Sequence, residues 1–386
     1  MSPIRISGIG AVCHGGGNIS ELWGGMERAA PAPSNVSDAE MDAPVRLIYL
    51  AAGSSNERDD LFSEHASSRA GAIAVRAALE AVEDAGPGPH DTTRVGVVIG
   101  SCMGASGENE LAREREKGSG PRLFGIGSDV AAAVGANGPV VNVANACAAG
   151  AYAVGHAVDL LDTRECDRVI VAGGESYSRV ALACFNQMSA LDPTGCRPFT
   201  VDRRGTAFGE GAGALVLDRV APGSAPLKGV VFLVGSGFTC DAGHATAPAA
   251  DGAQARRALD TALLQAELPL DHVGLVVPHG TGTHLNDQVE AEMFDDMWPD
   301  ASSAPPMYSA KALLGHTGGG AGALAAVVAV LCLRQGKVPA NCDVGQLMEP
   351  MSRFIRSEPE PVSGVAVVNA YAFGGNNATL IFRRAS

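Results

Sequence analysis

Four side chains in this sequence, Cys147, His279, Lys311 and His316, stand where their types and spacing could do covalent chemistry. Cys147 sits in VVNVANACAAGAYAVGHAVDLLD (residues 140–162), where a short alternating run turns into an alanine-rich helical run. A thiol at such a corner meets free N–H groups and the positive end of a helix dipole, which favour its nucleophilic thiolate form. Most intracellular cysteines are simply buried, so the case for Cys147 rests on what accompanies it. VVPHGTGTHLNDQVEAE (276–292) places His279 directly after an apolar run, with Thr281 and Thr283 in a glycine-spaced loop and Asn286, Asp287 and Glu290 behind it. SAKALLGHTGGGAGALAA (309–326) brings Lys311 and His316 before a glycine-rich helix start. VVNAYAFGGNNATLIF (367–382) puts Asn369 and Phe373 around the end of another apolar run. A lone histidine is more often structural than catalytic. A helix-start cysteine joined by two strand-end histidines and a lysine points to nucleophilic catalysis.

The elements that must position these groups alternate between strand and helix. The first half reads as a strand over 4–9, a helix over 67–85, a strand over 94–99, a charged segment over 108–117, the Cys147 unit, and strands over 169–172 and 214–217. Residues 30–60, rich in Pro, Ser, Asn and Asp, read as a surface excursion. The second half repeats the plan. A strand over 230–234 leads into Gly235-Ser236-Gly237 as residues 6–9 lead into Gly10, and 256–268 and 272–280 echo 76–86 and 94–101. FGEGAGALVLDR (208–219) matches FGGNNATLIFRR (373–384) in register. Two similar α/β halves are expected, 1–222 and 223–386, forming one unit with mixed, mainly parallel central sheets and antiparallel last strands. Catalytic groups collect at the carboxyl ends of strands in such folds, and each stretch above follows a strand.

Bulk properties exclude several classes. At 386 residues and 46% hydrophobic the chain can bury a large core. A net charge of −14 with no Lys/Arg run disfavours nucleic acid; Arg113, Arg115, Lys117, Arg203 and Arg204 are the candidates for a local basic patch facing an acidic partner. Nine scattered cysteines show no CxxC and no zinc spacing, which fits reduced thiols in a cytoplasm and neither a disulfide frame nor a metal. The opening MSPIRISGIGAV lacks an apolar run of signal-peptide length, and 321–333 is too short to span a bilayer, so no membrane association is expected. Gly8, Gly10 and Cys13 fail the dinucleotide fingerprint at its third glycine.

With these motifs in view, the chain resembles the β-ketoacyl-acyl-carrier-protein synthases of the thiolase-like superfamily, the condensing enzymes of fatty-acid and type II polyketide synthesis. NACAAG (145–150) resembles the nucleophile motif; RPFTVDRRGTAFGEGAGALVLD (197–218), HGTGTHLND (279–287), SAKALLGHTGGGAG (309–322) and NAYAFGGNN (369–377) resemble four further signatures in the right order. The resemblance spans essentially the whole chain. It implies a five-layer αβαβα fold and a dimer, either of two copies or with a chain-length-factor-like subunit. It implies no tightly bound cofactor, the substrates being carried on the phosphopantetheine of an acyl carrier protein. By position it implies that Cys147 is acylated, that the backbone N–H groups of Cys147 and Phe373 hold the oxyanion, and that Phe373 gates the site. It further implies that His279 and His316 stabilise an enolate after malonyl decarboxylation, that Lys311, paired with Glu290, orients His316, and that Asn369 supports the site. Thr281 and Thr283 would bind pantetheine, and Met103, Thr206 and Tyr371 would line the acyl pocket.

The departures are Asn145 for the usual threonine, Thr206 for a common aromatic, Ala372 for the usual glycine, and a short 104–140 stretch. They bear on acyl-chain length and shape. HGTGT instead of HGTST leans towards polyketide or other specialised synthesis. The competing expectations are primary fatty-acid elongation, an ester- or amide-forming acyltransferase, a degradative thiolase, and a non-catalytic chain-length partner. Such partners lack the nucleophile that Cys147 supplies. Thiolases use a second cysteine where this chain has AYAFGGNN.

Overall fold

The computed structural model describes residues 3–36, 38, 41–53, 66–89, 91–114, 121–220 and 228–385. The expected boundary at 222/223, the candidates Arg115 and Lys117, and the side chain of Arg113 lie outside the described residues. Nine strands form one continuous ladder: β1 (Ile4–Cys13), β2 (Val95–Gly100), β3 (Val140–Val143), β4 (Arg168–Glu175), β5 (Gly211–Arg219), β6 (Val231–Cys240), β7 (Leu275–Val277), β8 (Val365–Ala372) and β9 (Asn376–Arg384). Their order is β7-β8-β9-β6-β1-β5-β4-β2-β3. Two half-sheets therefore meet where Ile4–Ile6 of β1 pair with Val231–Leu233 of β6.

Parallel pairing is confined to β2–β3, β2–β4 and β7–β8, and the other five pairings are antiparallel. The sheet is mixed as expected, but its weight is antiparallel, which corrects the mainly parallel reading. Strand–helix alternation predicts crossovers; it carries no information on how the first and last strands of each half come to lie side by side. The repeat itself is plain in the coordinates. β5 and β9 begin and end 165 residues apart, as the FG-led stretches do. A Cβ on Gly8 or Gly10 would lie 2.0 Å from the carbonyls of Ala81 and Ala77 in helix α1 (Arg69–Ala85). Gly235 and Gly237 meet Ala262 and Ala258 of helix α5 (Ala253–Ala266) at 2.3 and 2.0 Å in the same way. Glycine is needed there because the helix backbone lies directly on the strand.

Helices fill three layers around the sheets. α1 and α2 (Ile126–Val134) cover one outer face, with a core of Ile73, Ala77, Val97, Ile99 and Val216. α5 and α6 (His284–Met297) cover the other, over Leu259, Phe294, Val276 and Val367. Between the half-sheets lie α3 (Ala149–Asp162) and α8 (Ala321–Gln335), buried against Val171, Leu215, Val368 and Leu380. The two middle helices touch through small residues: a Cβ on Gly150 would stand 2.6 Å from the Ala323 nitrogen, and one on Gly322 equally close to the Ala151 nitrogen. Gly318–Gln335 is long and apolar enough to cross a membrane, longer than the 321–333 segment suggested, but it is 89% buried as this central layer. Each middle helix starts at a corner facing the other half.

Candidate active site

At the N-terminal corner, β3 runs into a 3-10 turn, Ala146–Ala148, and then α3. Ala146 adopts φ +45°, a left-handed conformation that turns the chain sharply and presents Cys147 at the helix start. Cys147 is 8% exposed and opens on a cavity of about 400 Å³. The backbone N–H groups of Cys147 itself and of Phe373 both point at its sulfur. The thiolate expectation is corrected here. Burial pushes the thiol up to about 11, against the opposing pull of the Lys311 cation, while the Glu175 carboxylate pushes the same way as burial. The helix start is real, but desolvation of the anion outweighs it.

His279 follows β7 and Pro278 and is held by its backbone. Its N–H donates to Glu290 Oε1 at 2.7 Å and the Gly280 N–H to Glu290 Oε2 at 2.6 Å. Asp287 gathers the next amides, those of Thr281 at 3.0 Å and Gly282 at 3.1 Å, along with that of Phe199 at 2.7 Å. These two carboxylates, one helical turn apart on α6, fold the HGTGT loop over the helix start. Glu290 is pushed up to about 7, chiefly by burial.

Lys311, on the short helix α7 (Ala310–Leu314), donates to the His279 carbonyl and lies 3.4 Å from His279 Nδ1. As a protonated amine it can only donate, so His279 Nδ1 accepts and Nε2 carries the proton. This corrects the expected pairing: Lys311 orients His279 and not His316. Glu290 acts on Lys311 through the electrostatic field, which opposes the lowering caused by burial.

His316, 2% exposed, is anchored by its N–H to the Ala207 carbonyl at 2.8 Å and by its carbonyl to the Gly209 N–H at 3.0 Å. Its Nδ1 has no hydrogen-bond partner among the described residues. The two imidazoles meet edge to face at 5.8 Å between centroids. Burial, then Lys311, holds His279 well below the usual imidazole range and His316 down to about 3. Both rings are neutral hydrogen-bonding groups at neutral pH.

Phe373 follows β8 and leads into Gly374 and Gly375 at φ +86° and +77°, which let the chain fold back from the ring. Its ring stacks on Phe185 of helix α4 (Arg179–Gln187) at 5.4 Å and 18°. Thr281 and Thr283 share a hydroxyl hydrogen bond of 2.8 Å and line the cavity. Thr206 and Tyr371 also line it, and the Tyr371 hydroxyl has no hydrogen-bond partner among the described residues. Asn369 lies off the cavity, accepting from the Thr379 hydroxyl at 2.8 Å across β8–β9. Met103 is not among the lining residues; its N–H donates to Glu175 at 3.1 Å. Of the basic candidates, Arg203 is interior, donating to the Thr200 and His284 carbonyls, whereas exposed Arg204 lines the cavity.

Two neighbours of the site escaped the sequence reading. Phe185 has no local signal, since an aromatic on an amphipathic helix is usually packing. Glu175 left one: a carboxylate closing an otherwise apolar strand, VIVAGGE.

Comparison with known proteins decides the family. Residues 1–222 match the model of the β-ketoacyl synthase N-terminal domain, and residues 230–345 that of its C-terminal domain. The chain belongs to the β-ketoacyl synthase family. It is 30% identical to nodulation protein E of Rhizobium meliloti, covering 99% of both chains. It is 29% identical to 3-oxoacyl-[acyl-carrier-protein] synthase 2 of Staphylococcus aureus strain N315, covering 99% of this chain and 98% of that one. Among solved structures, the ishigamide ketosynthase/chain length factor superposes with a TM-score of 0.86 at 28% identity over 100% of both chains. A β-ketoacyl synthase from Burkholderia phymatum STM815 gives 0.86 at 27%, again over 100% of both. This β-ketoacyl synthase is accordingly a 3-oxoacyl-[acyl-carrier-protein] synthase, a condensing acyltransferase of the thiolase-like fold.

Proposed function

We propose that Cys147 is the acylated nucleophile of this condensing enzyme and that His279 and His316 act as neutral donors to the enolate of a malonyl thioester. The observation that carries the reading is one cavity in which a thiol, two backbone N–H groups aimed at its sulfur and two neutral imidazoles converge. Acyl transfer exchanges the pantetheine thioester for one at Cys147 and releases the carrier thiol with the proton of Cys147. The N–H groups of Cys147 and Phe373 hold the tetrahedral oxyanion, and one such donor is worth on the order of 10²–10³ in rate. Loss of carbon dioxide from the malonyl thioester leaves an enolate oxygen; His279 Nε2–H and a ring N–H of His316 donate to it. The carbanion attacks the acyl-Cys147 carbonyl, a carbon–carbon bond forms, and the Cys147 thiolate leaves and is reprotonated. Decarboxylation supplies the nucleophile, so no strong base is required. Lys311 fixes the His279 tautomer, Glu290 and Asp287 fix the loop, and Asn369 ties β8 to β9 beneath it.

The substrates are carried on the phosphopantetheine of an acyl carrier protein. Its amide-bearing arm suits the Thr281 and Thr283 hydroxyls, and Thr206 and Tyr371 line the space for the acyl group. Met103, expected at the end of that space, stands outside this cavity on the Glu175 network. Phe373, backed by Phe185, is the gate. The duplicated halves are 1–222 and 223–386, and the nine free thiols suit a reducing cytoplasm. β3 is an exposed sheet edge, with Val140 41% exposed, fit to pair with a second subunit, either a copy of this chain or a chain-length-factor-like partner. HGTGT and the likeness to the ishigamide ketosynthase favour polyketide or specialised fatty-acid synthesis. The likeness to the staphylococcal synthase favours primary elongation as the second reading. A panel of acyl carriers of graded length and oxidation, offered with malonyl carrier, separates them. Extension of polar or unsaturated chains supports the first, and confinement to saturated chains overturns it in favour of the second.

A further inference from the structure

Glu175 closes β4, is 4% exposed, and forms no salt bridge among the described residues. An unpaired buried carboxylate costs several kcal/mol unless hydrogen bonds replace its water. Five do so. Oε1 accepts from the Ser101 hydroxyl and the Met103 N–H, both at 3.1 Å. Oε2 accepts from the Cys102 N–H, the Cys102 thiol and the Gly319 N–H, each at 2.9 Å. All five groups donate, so a carboxylate satisfies them where an amide, with one donor end, could not.

The donors come from both halves of the chain. Ser101, Cys102 and Met103 form the loop after β2 in the N-terminal half. Gly319 belongs to the corner before α8 in the C-terminal half, three residues beyond His316. That corner, Gly318–Gly320, stands 172 residues after Ala146–Ala148, so Gly319 is the repeat counterpart of Cys147. Two of its glycines lie against this network. A Cβ on Gly318 would lie 2.9 Å from Glu175 Cγ and Oε2, and one on Gly319 2.5 Å from the Cys102 nitrogen. The bare corner lets its amide reach Glu175.

From this geometry we infer that Glu175 is a positioning residue for condensation, clamping the His316 corner to the loop after β2 and setting the electrostatic field at Cys147. The inference rests on the roles proposed for Cys147 and His316. Two consequences follow. Without the clamp His316 loses its fixed distance from the enolate site, which lowers the decarboxylation rate while leaving carrier binding alone. Without the negative charge the Cys147 thiolate forms more easily, since the carboxylate opposes its ionisation.

The test is Glu175→Gln and Glu175→Asp in the full chain, with the pH profile of Cys147 alkylation by iodoacetamide and the steady-state kinetics of malonyl-carrier decarboxylation. Glu175→Gln is expected to lower the alkylation midpoint by roughly one pH unit. It should also cut decarboxylation kcat at least tenfold with KM within twofold. Glu175→Asp keeps the charge on a shorter arm, so its midpoint should stay at the wild-type value while kcat falls. Should Glu175→Gln not fold, Glu175→Asp together with Cys102→Ala, which removes one donor, carries the kcat arm. An unchanged midpoint and an unchanged kcat in the soluble variants overturn the inference. If wild-type protein is neither alkylated at Cys147 nor active on malonyl carrier, the roles proposed for Cys147 and His316 fail instead.

Discussion

Replacing Lys311 with methionine separates the positioning of His279 from its charge state. In the wild type the Lys311 ammonium stands 3.4 Å from His279 Nδ1 and donates to the carbonyl of the same residue. Were His279 to protonate, two positive charges at that distance would repel by about 5 kcal/mol at an effective dielectric constant of 20. Burial already disfavours the imidazolium, and the cation adds to it for both His279 and His316. Methionine fills the volume but removes both the donor at Nδ1 and the repulsion. The first loss frees the tautomer, so Nε2 no longer presents its proton reliably; a positioned proton donor is typically worth 10²–10⁴ in rate. The second raises the pKa of both histidines, so they protonate at a higher pH than before. In the proposed mechanism the neutral forms donate, so activity should be lost as pH falls through the raised values. The assay is carbon dioxide release from malonyl carrier between pH 5 and 9. Lys311→Met should lose about 10²-fold or more at pH 8 and show an acid limb displaced to higher pH than the wild type. A variant with wild-type rate and an unmoved acid limb would refute the assignment of Lys311 to His279.

Further outcomes follow from the same coordinates. Cys147→Gln should abolish acylation, seen by intact mass after acyl-carrier exposure, while malonyl decarboxylation persists on the two histidines; equal acylation of the variant would contradict the nucleophile role. Phe185→Ala removes the ring that backs Phe373 at 5.4 Å, a contact worth about 0.5–1.5 kcal/mol. Hydrolysis of preformed acyl-enzyme should then quicken by roughly three- to tenfold, read as free fatty acid over time. Arg69→Met breaks the buried 2.6 Å pair with Glu210 and leaves that carboxylate without its guanidinium. A loss of about 3–5 kcal/mol is expected in denaturant unfolding. Gly150→Val would drive a side chain into the Ala323 nitrogen, where even a Cβ would sit at 2.6 Å, and should lower the melting temperature sharply.

Much of this architecture was legible because glycine and apolar spacing are local signals. The duplicated FG-led stretches became β5 and β9 with matching ends, and the alanine-rich runs became the two middle helices. Strand direction was not legible: β1 and β5 lie side by side through pairings about two hundred residues apart, which no local period encodes. The run 272–280 reads as one strand, yet only Leu275–Val277 pair. Pro278 has no N–H for the ladder, and the amides of His279 to Gly282 are taken by Glu290 and Asp287 instead. The thiolate expectation missed because sequence shows a helix start but not how deeply the thiol lies. Glu175 was overlooked because its donors are 72 to 74 and 144 residues away.

The central claim is tested most directly by intact mass and peptide mapping of the protein after exposure to acyl carrier, followed by malonyl carrier. One acyl group on Cys147, discharged on adding malonyl carrier with release of carbon dioxide and a 3-oxoacyl product, is the predicted result. An acyl group on another residue, or a 3-oxoacyl product formed while Cys147 stays unmodified and the Cys147→Gln variant remains active, would contradict it.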